Sequence, residues 1–334
     1  MSSNQNAIPN SAPPPKVSVI IPSYSAAYIA EALDSVFAQT FRDFEVIVVN
    51  DGSPDTPRFE TALRPYLNRL QYIKQENLGT PGARNTAIRH ARGELLAFLD
   101  DDDMWLPGYL EAQVKFLDQN PGIVAAVADM LRFGQLGGQP SLRKMGKEGT
   151  NNTRTFDDML TREGGPVPSA TVVRRLRFIQ AGLFDESLHG REDIEFMYRL
   201  LFPDGLLGYT GQALVRYRKH ANSISGKWDD RVIAINEANI LRLVGKKLPL
   251  SASQRAILNN QVAVYEAELA MMDSFQHLSN HEFDQAAACL RQANAYYQNP
   301  KIKLTLAGLK IFPHWTARAL IWHRSRRNRP RDSK

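Results

Sequence analysis

The first apolar run of the chain, Val17-Ser18-Val19-Ile20-Ile21, is β-branched and meets Pro22, which removes a ladder donor, so a strand ending there is predicted. From Ala26 to Gln39, Ile29, Leu33, Val36 and Phe37 fall on one helical face, the spacing of a crossover helix. Phe44 to Val49 repeats the strand pattern and closes on Asn50-Asp51-Gly52-Ser53-Pro54-Asp55. A third short strand, Gln71-Tyr72-Ile73, precedes a helix predicted from Pro81 to Arg92, and a fourth, Glu94 to Leu99, runs into Asp100-Asp101-Asp102-Asp103. Strands apolar on both faces, alternating with helices, predict an α/β protein whose parallel sheet is covered on both sides. Ligands of such sheets sit beyond the carboxyl ends of the strands. Pro22-Ser23-Tyr24, Asn50-Asp51-Gly52 and the aspartate run all fall there.

Beyond the fourth strand the pattern loosens. Gly134 to Gly165 is Gly-rich and basic with no period, which predicts a long loop or weakly structured insertion, and a second α+β stretch runs from Pro166 to Ser225. After Trp228 helical spacing dominates, in Val232 to Val244, Ala256 to Met272 and Ala286 to Tyr297, punctuated by Pro249 and Pro300. Ile302, Leu306 and Leu309, then Trp315, Ala319 and Trp322, recur at helical spacing, with Pro313 dividing two short helices. Met1 to Lys16 holds Ser, Asn, Gln and four prolines and reads as a loose leader. The expected division is therefore a leader over 1–16, a sheet-bearing domain over 17–225, a helical region over 226–300 and a basic tail over 301–334.

Composition narrows the classes. With 43% hydrophobic, 23% charged and 9% aromatic residues in 334, the chain can bury a full core. One cysteine, Cys289, excludes an intramolecular disulfide framework and a multi-cysteine zinc site, and a reducing cytoplasm fits. No apolar run approaches the roughly 18 to 20 residues of a membrane span, and the N-terminus lacks a signal-peptide pattern. The formal charge of +6 belongs to the tail: from Lys301 onward there are 10 basic residues and one acid, Asp332, leaving 31 basic against 34 acidic elsewhere. Lys310, Arg318, Arg324, Arg326, Arg327 and Arg329 beside the tail's apolar stripe suit a segment lying on an anionic membrane surface, at the inner face of the cytoplasmic membrane. Alternatively, the stripe packs on the body of the protein. Nothing in the sheet-bearing part supplies a basic, aromatic-studded face, so no nucleic-acid partner is expected.

Four consecutive aspartates repel one another unless protonated or neutralised, and a divalent cation is the economical answer. An EF-hand register places Asp100, Asp102 and Glu111 at loop positions one, three and twelve but puts Trp105 where glycine is required. Neither a G-x-G-x-x-G nor a P-loop follows the first strand, so phosphates must be neutralised by other means, and a cation on the acidic loop would do so. Asp51 can accept hydrogen bonds from a base or ribose, or simply form its turn; Tyr24 offers a stacking face or a core ring. Glu192 and Asp193 can be catalytic acids or complements to a helix dipole. His277 and His281 stand at i, i+4 without the glutamate of a zinc motif and are read as structural.

Taken together, Val17-Ser18-Val19-Ile20-Ile21-Pro22-Ser23-Tyr24, Val48-Val49-Asn50-Asp51-Gly52-Ser53, Gly82-Ala83-Arg84-Asn85 and Phe98-Leu99-Asp100-Asp101-Asp102-Asp103-Met104-Trp105 closely resemble the family 2 glycosyltransferases of the GT-A fold. Gly182-Leu183-Phe184-Asp185-Glu186, Arg191-Glu192-Asp193-Ile194-Glu195-Phe196 and Tyr217-Arg218-Lys219-His220 extend the resemblance through Ser225. The helical end lies outside it but looks like that of bacterial surface-polysaccharide transferases. The resemblance implies a GT-A fold, with a mixed sheet parallel in its N-terminal half and flanked by helices, followed by a helical C-terminal region. It also implies an inverting, metal-assisted transferase in cell-surface polysaccharide synthesis. The donor would be a nucleotide sugar, with UDP the expected nucleotide, bound by Pro22, Tyr24, Asp51, Arg84, Asp100 and Asp101. Mn²⁺ or Mg²⁺ would be ligated by Asp102 and His220, and Asp193 would be the general base. Glu192 and Trp105 would face a glycan or lipid-linked saccharide acceptor. Asn50 replaces the aspartate often found first in its turn. The rival class, a non-catalytic nucleotide-sugar or glycan binding module, would need damage at Asp102 or Asp193, and both are present.

Overall fold

The computed structural model of the protein describes residues 13–134, 140–146, 152–161, 165–188, 190–221, 223 and 229–327, the side chains of 323–327 excepted. Most of the expected leader, residues 1–12, and the last seven residues of the basic tail lie outside them. The chain divides into two units, Met1–Lys227 and Trp228–Lys334.

The first unit is built on one ten-stranded sheet. Its parallel half joins β1 (Val17–Ser23), β2 (Phe44–Asp51), β3 (Gln71–Gln75) and β4 (Leu95–Phe98) in the order β3-β2-β1-β4. The connections carry α1 (Ile29–Phe37), α2 (Thr56–Leu63) and α3 (Gly79–His90). Every residue of β1 is buried, as expected of a central strand with helices on both faces. Contrary to the expectation from Pro22, β1 continues to Ser23, pairing Pro22 with Val49 and Ser23 with Asn50. The carbonyl of Ile20 accepts from Leu99 on the β4 side, so the nitrogen of Pro22, two residues on, points to the side where β4 has already ended. Its missing N–H therefore interrupts no ladder.

The sheet continues through β5 (Met104–Trp105), α4 (Tyr109–Gln119), β6 (Ile123–Phe133), β7 (Ser141–Arg143), β8 (Thr153–Arg154), α5 (Phe156–Thr161), β9 (Thr171–Arg174), α6 (Arg175–Ala181), α7 (Glu192–Leu201) and β10 (Leu206–Arg218). The spatial order runs β4-β9-β6-β10-β5, with β9 antiparallel to both neighbours and β10 parallel to β6, so the sheet is mixed. The stretch from Gly134 to Gly165, expected as a long loop or a weakly structured insertion, carries short regular elements. Its described residues include β7 paired with β6, β8 paired with β10, and α5 with Phe156, Met159 and Leu160 buried. Elements this short hold no full hydrophobic period, and tertiary pairing rather than local propensity fixes them.

The second unit is helical: α8 (Asp230–Lys247), α9 (Ala252–Ser279), α10 (Phe283–Tyr297), α11 (Pro300–Ile311) and α12 (Pro313–Arg327). Asp229, Ser251 and Asn299 cap α8, α9 and α11 through their side chains, and Pro300 and Pro313 open their helices, where the lost N–H is tolerated. Leu278, Ala286, Leu290, Ile302, Leu309 and Ala317 form the core of this unit. The single apolar stripe expected of the tail is split. Ile302 and Leu309 are buried, whereas Trp315, Ala319 and Trp322 are exposed and Ala317 turns inward instead. No helix among the described residues is long and apolar enough to cross a membrane.

Candidate functional site

The carboxyl end of the parallel half gathers the motifs. At the end of β2, Asn50 accepts from Ser53 N at 2.8 Å and donates to the Tyr72 hydroxyl at 3.0 Å, which makes it the turn former. Gly52 adopts φ +72°, and a Cβ there would lie 2.7 Å from Asn77 N, so no other residue fits this turn without displacing its neighbour. Asp51 is buried, and its Oδ1 accepts from Gln75 Nε2 at 2.7 Å and Leu78 N at 2.9 Å. Pro22 is buried in β1, and Tyr24 just beyond it is 49% exposed, with no ring partner among the described residues.

The four aspartates after β4 diverge in environment. Asp100 takes the guanidinium of Arg84 (Nη2 to Oδ1, 2.6 Å), and its backbone N donates to Ser169 Oγ. Asp101 accepts from Ser23 Oγ; burial, and then the like charges of Asp102 and Asp100, push its carboxyl up to about 7. Asp102 Oδ2 lies 2.9 Å from His220 Nε2, and its carboxyl is raised by burial and by Asp100. Asp103 is buried outright: Oδ1 accepts from Arg218 N at 2.8 Å, and Oδ2 has no hydrogen-bond partner among the described residues. Arg218 also donates from Nε to the Asp102 carbonyl and from Nη2 to Glu31, and lies over the Tyr28 and Phe133 rings. It clamps the turn of the loop that presents Asp102.

Arg84 is the connection between this loop and α7. It is 3% exposed, and while Nη2 holds Asp100, Nη1 donates to Glu192 Oε1 at 2.8 Å. Burial disfavours its charge, but Asp100 and Glu192 outweigh that and hold its pKa above the usual arginine value. The surface reading of Arg84 is thereby excluded, and its guanidinium faces two carboxylates of the protein, not an open donor site. Glu192, taken as an acceptor-side candidate, is likewise committed inward. Asp193, next along α7, accepts from Ile194 N, and its carboxyl is raised to about 6 by burial and Glu192, against the opposing pull of Arg84 and Arg191. Arg191 sits before it at φ +65°, a left-handed backbone uncommon outside glycine and frequent where a site fixes its geometry. Asp193 lines a small pocket with Phe98, Phe184, Phe196 and Pro168, and it is the charged group among otherwise largely apolar walls.

Trp105, the other acceptor-side candidate, is corrected: it is 2% exposed, donates Nε1–H to the Ser169 carbonyl at 2.7 Å and stacks on Tyr109. An indole with its N–H satisfied in the interior is core, and no acceptor can reach it.

Sequence reading missed a cationic group beside the aspartates. Arg143 pairs in register with Met130, and Arg132 pairs with Tyr217, so all project from one face of the sheet, with Lys219 two residues beyond Tyr217. Burial lowers the pKa of both Arg143 and Lys219, Arg132 lowers each further, and Arg191 adds to the effect at Arg143. Arg132, Arg143 and Lys219 share no motif and meet only through strand register, so no local pattern announced them.

Among the described residues no three His, Cys, Asp or Glu side chains gather as a metal site. Asp102 and His220 do supply a carboxylate and an imidazole at hydrogen-bond distance, and Asp102 and Asp101, raised first by burial, also feel the like charge of neighbouring aspartates. That donor set fits a hard divalent cation whose remaining positions are filled by phosphate oxygens and water.

The family model described as "Glycosyl transferase family 2" matches residues 18–178. An uncharacterized glycosyltransferase of Rickettsia felis is 31% identical over 179 residues, 53% of this chain and 29% of its own length. The Escherichia coli UDP-Glc:alpha-D-GlcNAc-diphosphoundecaprenol beta-1,3-glucosyltransferase WfgD is 40% identical over 106 residues, 31% of this chain and 42% of its own. The chain thus spans less than half the length of these two relatives. Staphylococcus aureus TarS 1-349, solved in complex with UDP-GlcNAc, superposes with a TM-score of 0.60 at 20% identity, covering 91% of this chain and 89% of that one. The mannosyltransferase PcManGT from Pyrobaculum calidifontis, solved with GDP-Man and Mn²⁺, gives 0.54 at 20% identity, covering 94% and 86%. At such identities these structures establish the GT-A-like fold alone. With the family model laid over β1 to α6 and the aspartate loop at its centre, residues 18–178 of this chain form a glycosyl transferase family 2 domain.

Proposed function

We propose that the protein transfers a sugar from a nucleotide-diphospho-sugar to a hydroxyl of a glycan or lipid-linked saccharide, with inversion at the anomeric carbon, in cell-surface polysaccharide synthesis. The observation that carries this reading is the Arg84 strap, which joins the loop of Asp100 and Asp102 to the Glu192-Asp193 pair. One side of the strap is suited to a cation and a diphosphate, the other to a proton acceptor. Support for the donor class comes from the printed names of similar proteins, solved with UDP-GlcNAc or GDP-Man and Mn²⁺, and for the acceptor class from WfgD, named for a diphosphoundecaprenol substrate.

In this reading Tyr24 and Asp51, at the strand ends, flank the nucleoside. Asp102 and His220 would hold Mn²⁺ or Mg²⁺, which would supply positive charge against the diphosphate. Arg132, Arg143 and Lys219 add positive charge on the same side. Asp193 takes the acceptor's hydroxyl proton at a carboxylate oxygen while that hydroxyl oxygen bonds to the anomeric carbon. The bond from that carbon to the diphosphate oxygen breaks with its electron pair going to the diphosphate, and attack from the opposite face inverts the centre. Arg84 and Arg218 position carboxylates and touch no substrate.

The test is a panel of UDP- and GDP-sugars with simple glycoside acceptors, in Mn²⁺, Mg²⁺ or chelator, read as nucleoside diphosphate released and as glycoside product. Acceptor-dependent release that needs the cation supports the proposal. Donor binding without release across the panel favours the binding-module reading instead, and release identical in Asp193→Asn removes Asp193 as the base.

A further inference from the structure

The pair α11 and α12 is apolar on two sides. Ile302 and Leu309, seven residues and two turns apart, face the core with Ala317. Leu304 and Ile311, also two turns apart, lie on the opposite face of α11 at 75% and 65% exposed. On α12 the residues opposite Ala317 are Trp315, 76% exposed, and Trp322, 56% exposed, while Phe312 at the joint is 64% exposed. Monomeric surfaces seldom present so many large apolar side chains in so short a segment, and such patches mark interaction sites.

The chemistry of the border identifies the occupant. Lys301, Lys303, Lys310 and Arg318 are all exposed, and the sequence from Lys301 to Trp322 contains no acid. Lys303 and Lys310, two turns apart like Leu304 and Ile311, form a cationic edge beside the apolar row. Indole and phenyl rings between lysines suit the headgroup region of a bilayer, where the ring enters the acyl boundary and the ammonium groups meet lipid phosphates. We infer that the outward face of α11 and α12 docks on an anionic lipid surface, with Leu304, Ile311, Phe312 and Trp315 inserted and the basic residues at headgroup level. The surface lies in the helical unit and does not depend on the sugar-transfer reading.

Sedimentation of the full chain with phosphatidylcholine vesicles, with and without phosphatidylglycerol, at low and high salt, tests the inference. Tryptophan emission provides a second readout. Binding is expected only with phosphatidylglycerol, weakened by salt, and accompanied by a blue shift of emission. Ile311→Ala with Trp315→Ala, both at exposed positions, is expected to weaken vesicle affinity about tenfold or more. Lys303→Glu with Lys310→Glu is expected to cost roughly fivefold per residue. Circular dichroism reports whether each variant keeps its helices. Equal sedimentation with neutral and anionic vesicles, or unchanged binding by both folded variants, overturns the inference. So does self-association that the apolar variant abolishes in the absence of vesicle binding, because the face would then serve a second copy of the chain.

Discussion

Asp193 holds its carboxyl under two opposing influences. Burial and Glu192 raise it to about 6, while Arg84 and Arg191 pull it down. A general base must be ionised to accept a proton, so turnover is expected to fall about tenfold per pH unit below about 6 and to level off above it, read as kcat/KM against pH. Asp193→Asn should lower kcat on the order of a hundredfold or more, the usual worth of a general base, while donor affinity measured calorimetrically stays near wild type. Equal loss of both would make the residue structural. Arg84 yields a different expectation. Removing it in Arg84→Ala leaves Glu192 buried without its partner, which should destabilise the chain by about 3 kcal/mol, read from urea unfolding. Because the proposed role of Arg84 is positioning, kcat should drop with little change in donor KM. The aspartate run and the Glu-Asp pair are visible as text, whereas the side chain that joins them, 16 residues from one and 108 from the other, is visible only as an ordinary arginine on a helix.

At the scale of elements, an aromatic cluster sets where α7 begins. Phe178 of α6 is fully buried, stacks on Phe196 of α7 with ring centroids 4.0 Å apart, and meets Phe98 of β4 and Phe184 edge-on or tilted. Asn85 of α3 locks the intervening turn, donating to the Phe184 carbonyl and accepting from its N–H. Phe178→Ala is expected to cost about 3–5 kcal/mol by leaving a cavity. The same change should loosen the wall beside Asp193, seen as a lowered melting temperature together with a raised acceptor KM. The alternation of strands and helices that predicts the parallel half was readable because each element there spans a full hydrophobic period. β7, β8 and α5 were not, because two to six residues contain no period and are held by neighbours remote in sequence.

For the whole molecule, a cation and a nucleotide that bind only the folded sheet-bearing unit must raise its stability by mass action. UDP with Mn²⁺ at a hundredfold excess over Kd adds about 2.7 kcal/mol, a rise of roughly 5–10 °C in melting temperature for a unit of this size. In Asp102→Ala the increment due to Mn²⁺ is expected to vanish while that of UDP alone persists. An unchanged Mn²⁺ increment would move the metal away from Asp102. The helical unit, held by its own core of Leu278, Leu290, Ile302 and Leu309, should show no such shift.

Sequence alone determined the β-branched and helical periods, the turn chemistry at Asn50-Asp51-Gly52 and the clustering of carboxylates after the fourth strand, because each depends on residues close together in the chain. From those it was possible to expect the sheet, the family and the end of the sheet where chemistry lies. Tertiary structure alone decided which charges oppose which. It assigned Asp103 to Arg218, Asp100 and Glu192 to Arg84, and left Asp102 beside His220. It turned Trp105 into core and divided the tail's apolar residues between two faces. The reason is physical: burial and pairing depend on distances across strands and helices, and residues tens of positions apart acquire those distances only when the sheet register closes.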